Sequence, residues 1–190
     1  MRKLKIVYLF LFAVLSTMLL PPARPGAQNI TFPTFGSGPI EVYLFTDYFC
    51  PPCRAMEPHI EPVLKELLKK NAITLTLVDV PFSELTPLYA RYFLFSLYGK
   101  REVENAFYVR NVLIEAAQKK VNKEDKLVNF LREKGITYVP HEVKEAFDRY
   151  NALIQGEKID ATPTCVIVRS GKKEKSVGGP DIVAALKRLL

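Results

Sequence analysis

Cys50 and Cys53 are separated by two prolines, Pro51 and Pro52. Two thiols at this spacing can trade a disulfide, because either sulfur can attack the other and release a partner bound to it. The pair could also be half of a zinc site, which wants four ligands. Only Cys165, His59 and His141 remain among sulfur and imidazole ligands, with no second paired motif. A purely structural disulfide is the third reading, although so small a loop removes little chain entropy when it closes. The redox reading needs no metal and no organic cofactor.

The elements around the pair decide which sulfur is reactive. Ile40–Phe45 reads as a buried strand and Arg54–Lys70 as a helix, so Cys50 stands at a helix N-terminus. Free N–H groups and the positive end of the helix dipole favour a thiolate there. Pro51 and Pro52 have no N–H to donate, so hydrogen bonding to that thiolate falls mainly to the Cys53 N–H and the helix end. Cys165 sits in the apolar run Cys165–Val168 and reads as a small buried core residue.

Further along, Ile73–Val80 reads as a strand with a less apolar face at Thr74 and Thr76. Helical periodicity then predicts four helices in succession: Pro87–Tyr98 ending at Gly99, Glu102–Lys120, one capped by Asn122 and ending at Gly135, and one that starts at Pro140 and reaches about Gln155. Thr164–Val168 and Lys175–Val177 read as strands about a turn at Ser170-Gly171-Lys172, and Pro180–Leu190 as a closing helix. The fold class is therefore α/β, a small mixed sheet interrupted by an all-helical block. The expected divisions are 39–84 and 161–190 for the core, 85–160 for the helical insertion and 21–38 for a linker rich in Pro and Gly.

A chain of 190 residues holds one core with an insertion. Its formal charge of +7 is concentrated at the start: Arg2, Lys3, Lys5 and Arg24 leave 23 basic against 20 acidic residues in 28–190. No basic run is interleaved with aromatics, so nucleic acid is not an expected partner. The basic start and the uncharged run Ile6–Leu20 have the layout of a signal peptide, and fall short of the ~20 residues that span a bilayer comfortably. Pro21 and Pro25 stand where a cleavage site wants a small residue, so residues 1–20 read either as a signal peptide or as an uncleaved N-terminal membrane anchor. Both readings place the domain outside the cytoplasm, in the periplasm or at the outer face of the cytoplasmic membrane.

Three stretches resemble the DsbA-like group of thioredoxin-fold thiol-disulfide oxidoreductases, in which a helical domain interrupts a thioredoxin core. They are Phe45-Thr46-Asp47-Tyr48-Phe49-Cys50-Pro51-Pro52-Cys53, Asp160-Ala161-Thr162-Pro163-Thr164, and Val177-Gly178-Gly179 followed by Ile182. Pro58, five residues past Cys53, matches a kinking proline of thioredoxin-like helices, and the resemblance spans residues 40–190. It implies that Cys50 is the nucleophile, Cys53 the resolving thiol, and Pro163 a cis-proline that presents the Thr162 backbone to a substrate peptide. Implied partners are unfolded or cysteine-containing proteins and a membrane redox partner that resets the dithiol. The direction of electron flow, as oxidase, isomerase or reductase, is left open.

Two positions depart from the family pattern. Leu44 stands six residues before Cys50, where relatives often bury an acid that manages the proton of the second thiol, and Pro52 replaces a histidine. Asp47 and Glu57 are the nearest acids, expected as surface or capping residues. His59 and His141 are expected as packing or surface residues, and Tyr89, Tyr92, Phe93, Phe95 and Tyr98 as helical core. The rival reading is a non-catalytic thioredoxin-like module that binds unfolded proteins in the cell envelope, and a weaker one is a metallochaperone.

Overall fold

A computed structural model describes residues 32–190. The signal or anchor segment and residues 21–31 of the expected linker lie outside them. The described elements are β1 (Thr34–Phe35), β2 (Ile40–Thr46), α1 (Pro51–Lys69), β3 (Ile73–Asp79), α2 (Thr86–Leu97), α3 (Val103–Gln118), α4 (Glu124–Glu133), α5 (Lys144–Gly156), β4 (Thr164–Arg169), β5 (Lys172–Val177) and α6 (Gly179–Lys187). Among these residues no helix is long and apolar enough to cross a membrane.

The five strands form one sheet in the order β1-β3-β2-β4-β5. β2 and β3 are parallel, as a strand–helix–strand crossover through α1 requires, and the other neighbouring pairs are antiparallel. The pleat sends Val42, Leu44 and Thr46 to one face of β2 and Glu41, Tyr43 and Phe45 to the other. Cys165 lies opposite Leu44, so it shares that strand's Leu44 face, and it is fully buried as expected. Helices α1 and α6 pack together, and α2 packs on α3 within the helical block that separates β3 from β4.

Several boundaries differ from the sequence reading. β1 falls inside the expected linker, where Thr34 and Phe35 pair with Thr76 and Leu75. Helix α1 begins at Pro51 rather than Arg54, because the first helical positions have no intrahelical use for an N–H and tolerate both prolines. Helix α4 is capped by Lys123 rather than Asn122, without a side-chain bond. Pro140 does not start a helix: Val139 N–H donates to Phe95 O and the His141 ring lies 4.6 Å from that of Tyr98, which holds this stretch against α2. Helix α5 starts only at Lys144, whose N–H donates to Glu142 Oε1. β5 extends back to Lys172 from a turn in which Ser170 and Gly171 both have positive φ.

Of the expected aromatic core, Tyr89, Tyr92, Phe93 and Phe95 are buried, whereas Tyr98 is about half exposed. Tyr89 meets both Tyr48 and Phe49, with ring centroids at 5.7 and 4.9 Å, which docks the helical block onto the loop that carries Cys50.

Candidate active site

Cys50 is the N-cap of α1, with extended backbone, and the turn before it is closed by Cys50 N–H donating to Asp47 O at 3.2 Å. The Cys53 N–H donates to Cys50 Sγ at 3.3 Å, the bond that the two prolines left to it. Cys53 Sγ lies 2.6 Å from Cys50 Sγ and donates to it, and the Cys50 thiol reaches Thr162 O at 3.3 Å. Cys50 is half-buried, whereas Cys53 is 2% exposed. Burial first, and then its hydrogen bond to Cys50, push the Cys53 thiol up to about 12. The pair is thus asymmetric, with one accessible sulfur at a helix end and one buried sulfur that holds its proton. This is the division of labour that disulfide exchange needs.

The Thr162–Pro163 peptide bond is cis. Pro163 O accepts the Gly178 N–H at 2.9 Å, and Thr164 Oγ1 donates to Ala161 O at 2.7 Å, so this loop is tied to the start of α6 and to itself. Beside it an open groove of about 480 Å³ runs between two helices. Pro52, Ala55, Met56 and His59 line it from α1, and Gly179, Pro180, Val183 and Lys187 from α6. A Cβ at Gly179 would stand 3.2 Å from Met56 Cβ, so glycine allows α6 to approach this closely. The structure brings Cys50, Cys53, Pro51, Pro52 and Thr162 together at one end of the sheet. His59 is exposed on the groove wall, and His141 lies against Tyr98 and Phe95.

A buried charged centre beneath this end was not anticipated. Arg110, 2% exposed, reaches from α3 to donate to Glu57 Oε1 at 3.0 Å, to Asp79 Oδ1 at 3.0 Å and to Thr46 Oγ1 at 2.7 Å. Glu57 is 4% exposed, which corrects its reading as a surface or capping residue: the guanidinium supplies the counter-charge that burial demands. Tyr48 donates to Asp79 Oδ2 at 2.9 Å, and Tyr150 Oη is buried without a hydrogen-bond partner among the described residues. Burial pushes the Asp79 carboxyl above its ordinary range, against the opposing pull of Arg110. Asp47 is likewise neither on the surface nor a helix cap: it is buried, and accepts from Phe49 N–H, Ser83 N–H and Thr86 Oγ1, while Cys50 and Leu85 hold the N-cap positions of α1 and α2. One acid and one base among apolar residues, Asp79 between Leu77-Val78 and Val80 and Arg110 after Val109, are the signals available in sequence.

A family model described as Thioredoxin matches residues 36–176. Among solved structures, the chain is similar to a periplasmic thioredoxin-like protein from Salmonella enterica serovar Typhimurium, at 21% identity over 86% of this chain and 92% of that one, with a TM-score of 0.59. It is also similar to the catalytic domain of ScsC from Proteus mirabilis, at 17% identity, 86% and 91% coverage and a TM-score of 0.57. A third is the thiol-disulfide exchange protein α-DsbA2 from Wolbachia pipientis, at 16% identity, 85% and 87% coverage and a TM-score of 0.55. At these identities the likeness is one of fold. No curated protein matches the chain in sequence.

Proposed function

The chain belongs to the thioredoxin family, and from that premise we propose that it is an exported thiol-disulfide oxidoreductase acting on protein substrates through Cys50 and Cys53. The observation that carries the reading is the sulfur geometry: an accessible Cys50 at a helix N-terminus, 2.6 Å from a buried, protonated Cys53 and 3.3 Å from the Thr162 carbonyl. Cys50 thiolate attacks a substrate disulfide, forming a mixed disulfide and expelling the other substrate sulfur. Cys53 then attacks Cys50 Sγ, closing the Cys50–Cys53 disulfide and releasing the substrate thiol. The reverse sequence oxidises a substrate dithiol.

Thr162, whose carbonyl lies 3.3 Å from Cys50 Sγ, and Pro163 after it are assigned to the substrate backbone, by main-chain pairing with an extended peptide. The groove between α1 and α6 supplies apolar surface for the side chains that flank the substrate cysteine. Residues 1–20 are assigned to export, and the periplasmic relative of the same fold supports that placement. A membrane redox partner resets the dithiol.

The test is trapping. Protein isolated from the cell envelope, with Cys53→Ser, should accumulate a mixed disulfide at Cys50 when offered a disulfide-containing peptide, and Cys50→Ser should accumulate none and lose exchange. Intact mass of the same preparation separates a cleaved signal from a retained anchor. Retention of function by Cys50→Ser would instead favour the binding module, whose specific support is the apolar groove.

A further inference from the structure

The groove between α1 and α6 abuts Pro52 of the dithiol loop and is charged on one side of zero only. Lys187 on the α6 wall and His59 on the α1 wall are both exposed, and among the described residues that line the groove there is no carboxylate. Resting on the exchange reading above, we propose that this groove selects protein substrates with an acidic side chain about four residues from the reacting cysteine, its carboxylate held by Lys187 and His59. Between those two residues and the dithiol the walls are apolar, from Ala55, Met56 and Val183. The favoured segment therefore places an apolar residue near the cysteine and an acid beyond it.

The spacing follows from the two helices. Cys50 caps α1 and His59 stands nine residues on, about 14 Å along the axis at about 1.5 Å per residue. Helix α6 starts at Gly179 beside the cis-proline loop, because Gly178 N–H donates to Pro163 O, and Lys187 stands eight residues on, about 12 Å away. An extended peptide advances about 3.3 Å per residue. A carboxylate that meets both side chains thus belongs to the third, fourth or fifth residue from a cysteine bonded to Cys50.

The chain's own acids near the groove are turned away or engaged. Asp181 lies two residues before Val183, about 200° round α6 and so on the side away from the groove wall. On α1, Glu57 is buried against Arg110, and Glu66 pairs with Lys70 at 3.0 Å. Glu174 on β5 pairs with Arg188, the neighbour of Lys187. Lys187 itself has no ion-pair partner among the described residues, which leaves its ammonium to a substrate carboxylate. His59 adds a ring N–H as a donor.

Because both side chains stand in solvent, the selection is a matter of a few-fold and is screened by salt. The experiment offers reduced protein, isolated from the cell envelope, a set of single-cysteine peptides capped as disulfides with 2-mercaptoethanol. Each peptide carries Glu, Gln or Lys four residues before or four residues after its cysteine, and second-order exchange rates are read by acid quench and mass spectrometry. At one of the two placements the Glu peptide should react about three- to tenfold faster than the Gln peptide and the Lys peptide more slowly than either, with differences that shrink in about 0.5 M salt. Lys187→Glu should turn the preference toward the Lys peptide. Hydroxyethyl disulfide, uncharged and too short to reach Lys187, should react equally with wild type and variant. Equal rates for the three peptides at both placements overturn the proposal, as does a Glu preference that survives Lys187→Glu unchanged. Failure of the wild type to react with hydroxyethyl disulfide would instead overturn the exchange reading itself.

Discussion

Removing the Arg110 guanidinium would leave Glu57 and Asp79 buried without their counter-charge. Breaking one side of such a buried pair costs about 3–5 kcal/mol, so Arg110→Met should lower the stability by that order at pH 7 in urea unfolding. Asp79 behaves differently, because burial has already raised its folded-state value. A raised carboxyl contributes stability that is complete below its unfolded value, near 3.8, and is lost as pH rises through the folded value. Asp79→Asn does not titrate, so its stability relative to wild type should improve between pH 4 and pH 7. A relative loss over that interval would show that the ionised Asp79–Arg110 pair is a net stabiliser. These partners come from α1, β2, β3 and α3. Residue types and local spacing announced Cys50 and Cys53, but a cluster assembled from four elements has no local pattern to read.

The elements near the dithiol were legible for the same reason that they are regular. The apolar run of β2, the prolines at the start of α1 and the Thr-Pro-Thr stretch before β4 each carry a local signal. β1 was missed because two residues are too few for any periodicity, and α5 was started too early because contacts with α2 override the preference of Pro140 for a first helical turn. The chain between β1 and β2 shows how tertiary approach sets sequence. A Cβ at Gly38 would lie 2.2 Å from Ile73 N and 2.3 Å from Ala72 C, both backbone atoms that cannot swing aside. Gly38 N–H also donates to Ile73 O at 3.1 Å, which pins the loop there. Overpacking of this kind costs about 1–3 kcal/mol, so Gly38→Ala should lower the urea midpoint by that order and loosen β1 in hydrogen exchange. An alanine variant as stable as wild type would mean that the loop is not held against β3.

Over the whole molecule, the helical block is fastened to the dithiol end by three sets of contacts: Tyr89 on Tyr48 and Phe49, Ser83 and Thr86 on Asp47, and Arg110 on Glu57. The block therefore supports the helix that carries both sulfurs, and the groove beside that helix opens between α1 and α6. On the exchange reading, this dithiol cycles between oxidised and reduced states. Its most direct test is the reduction potential of the Cys50–Cys53 pair, measured by equilibrating the full-length protein in thiol–disulfide buffers and quantifying the oxidised fraction by alkylation and mass. A redox-active pair should show a single reversible two-electron transition with a midpoint between about −120 and about −270 mV, the span of dedicated exchange proteins. A midpoint below about −300 mV, where structural disulfides lie, would contradict it.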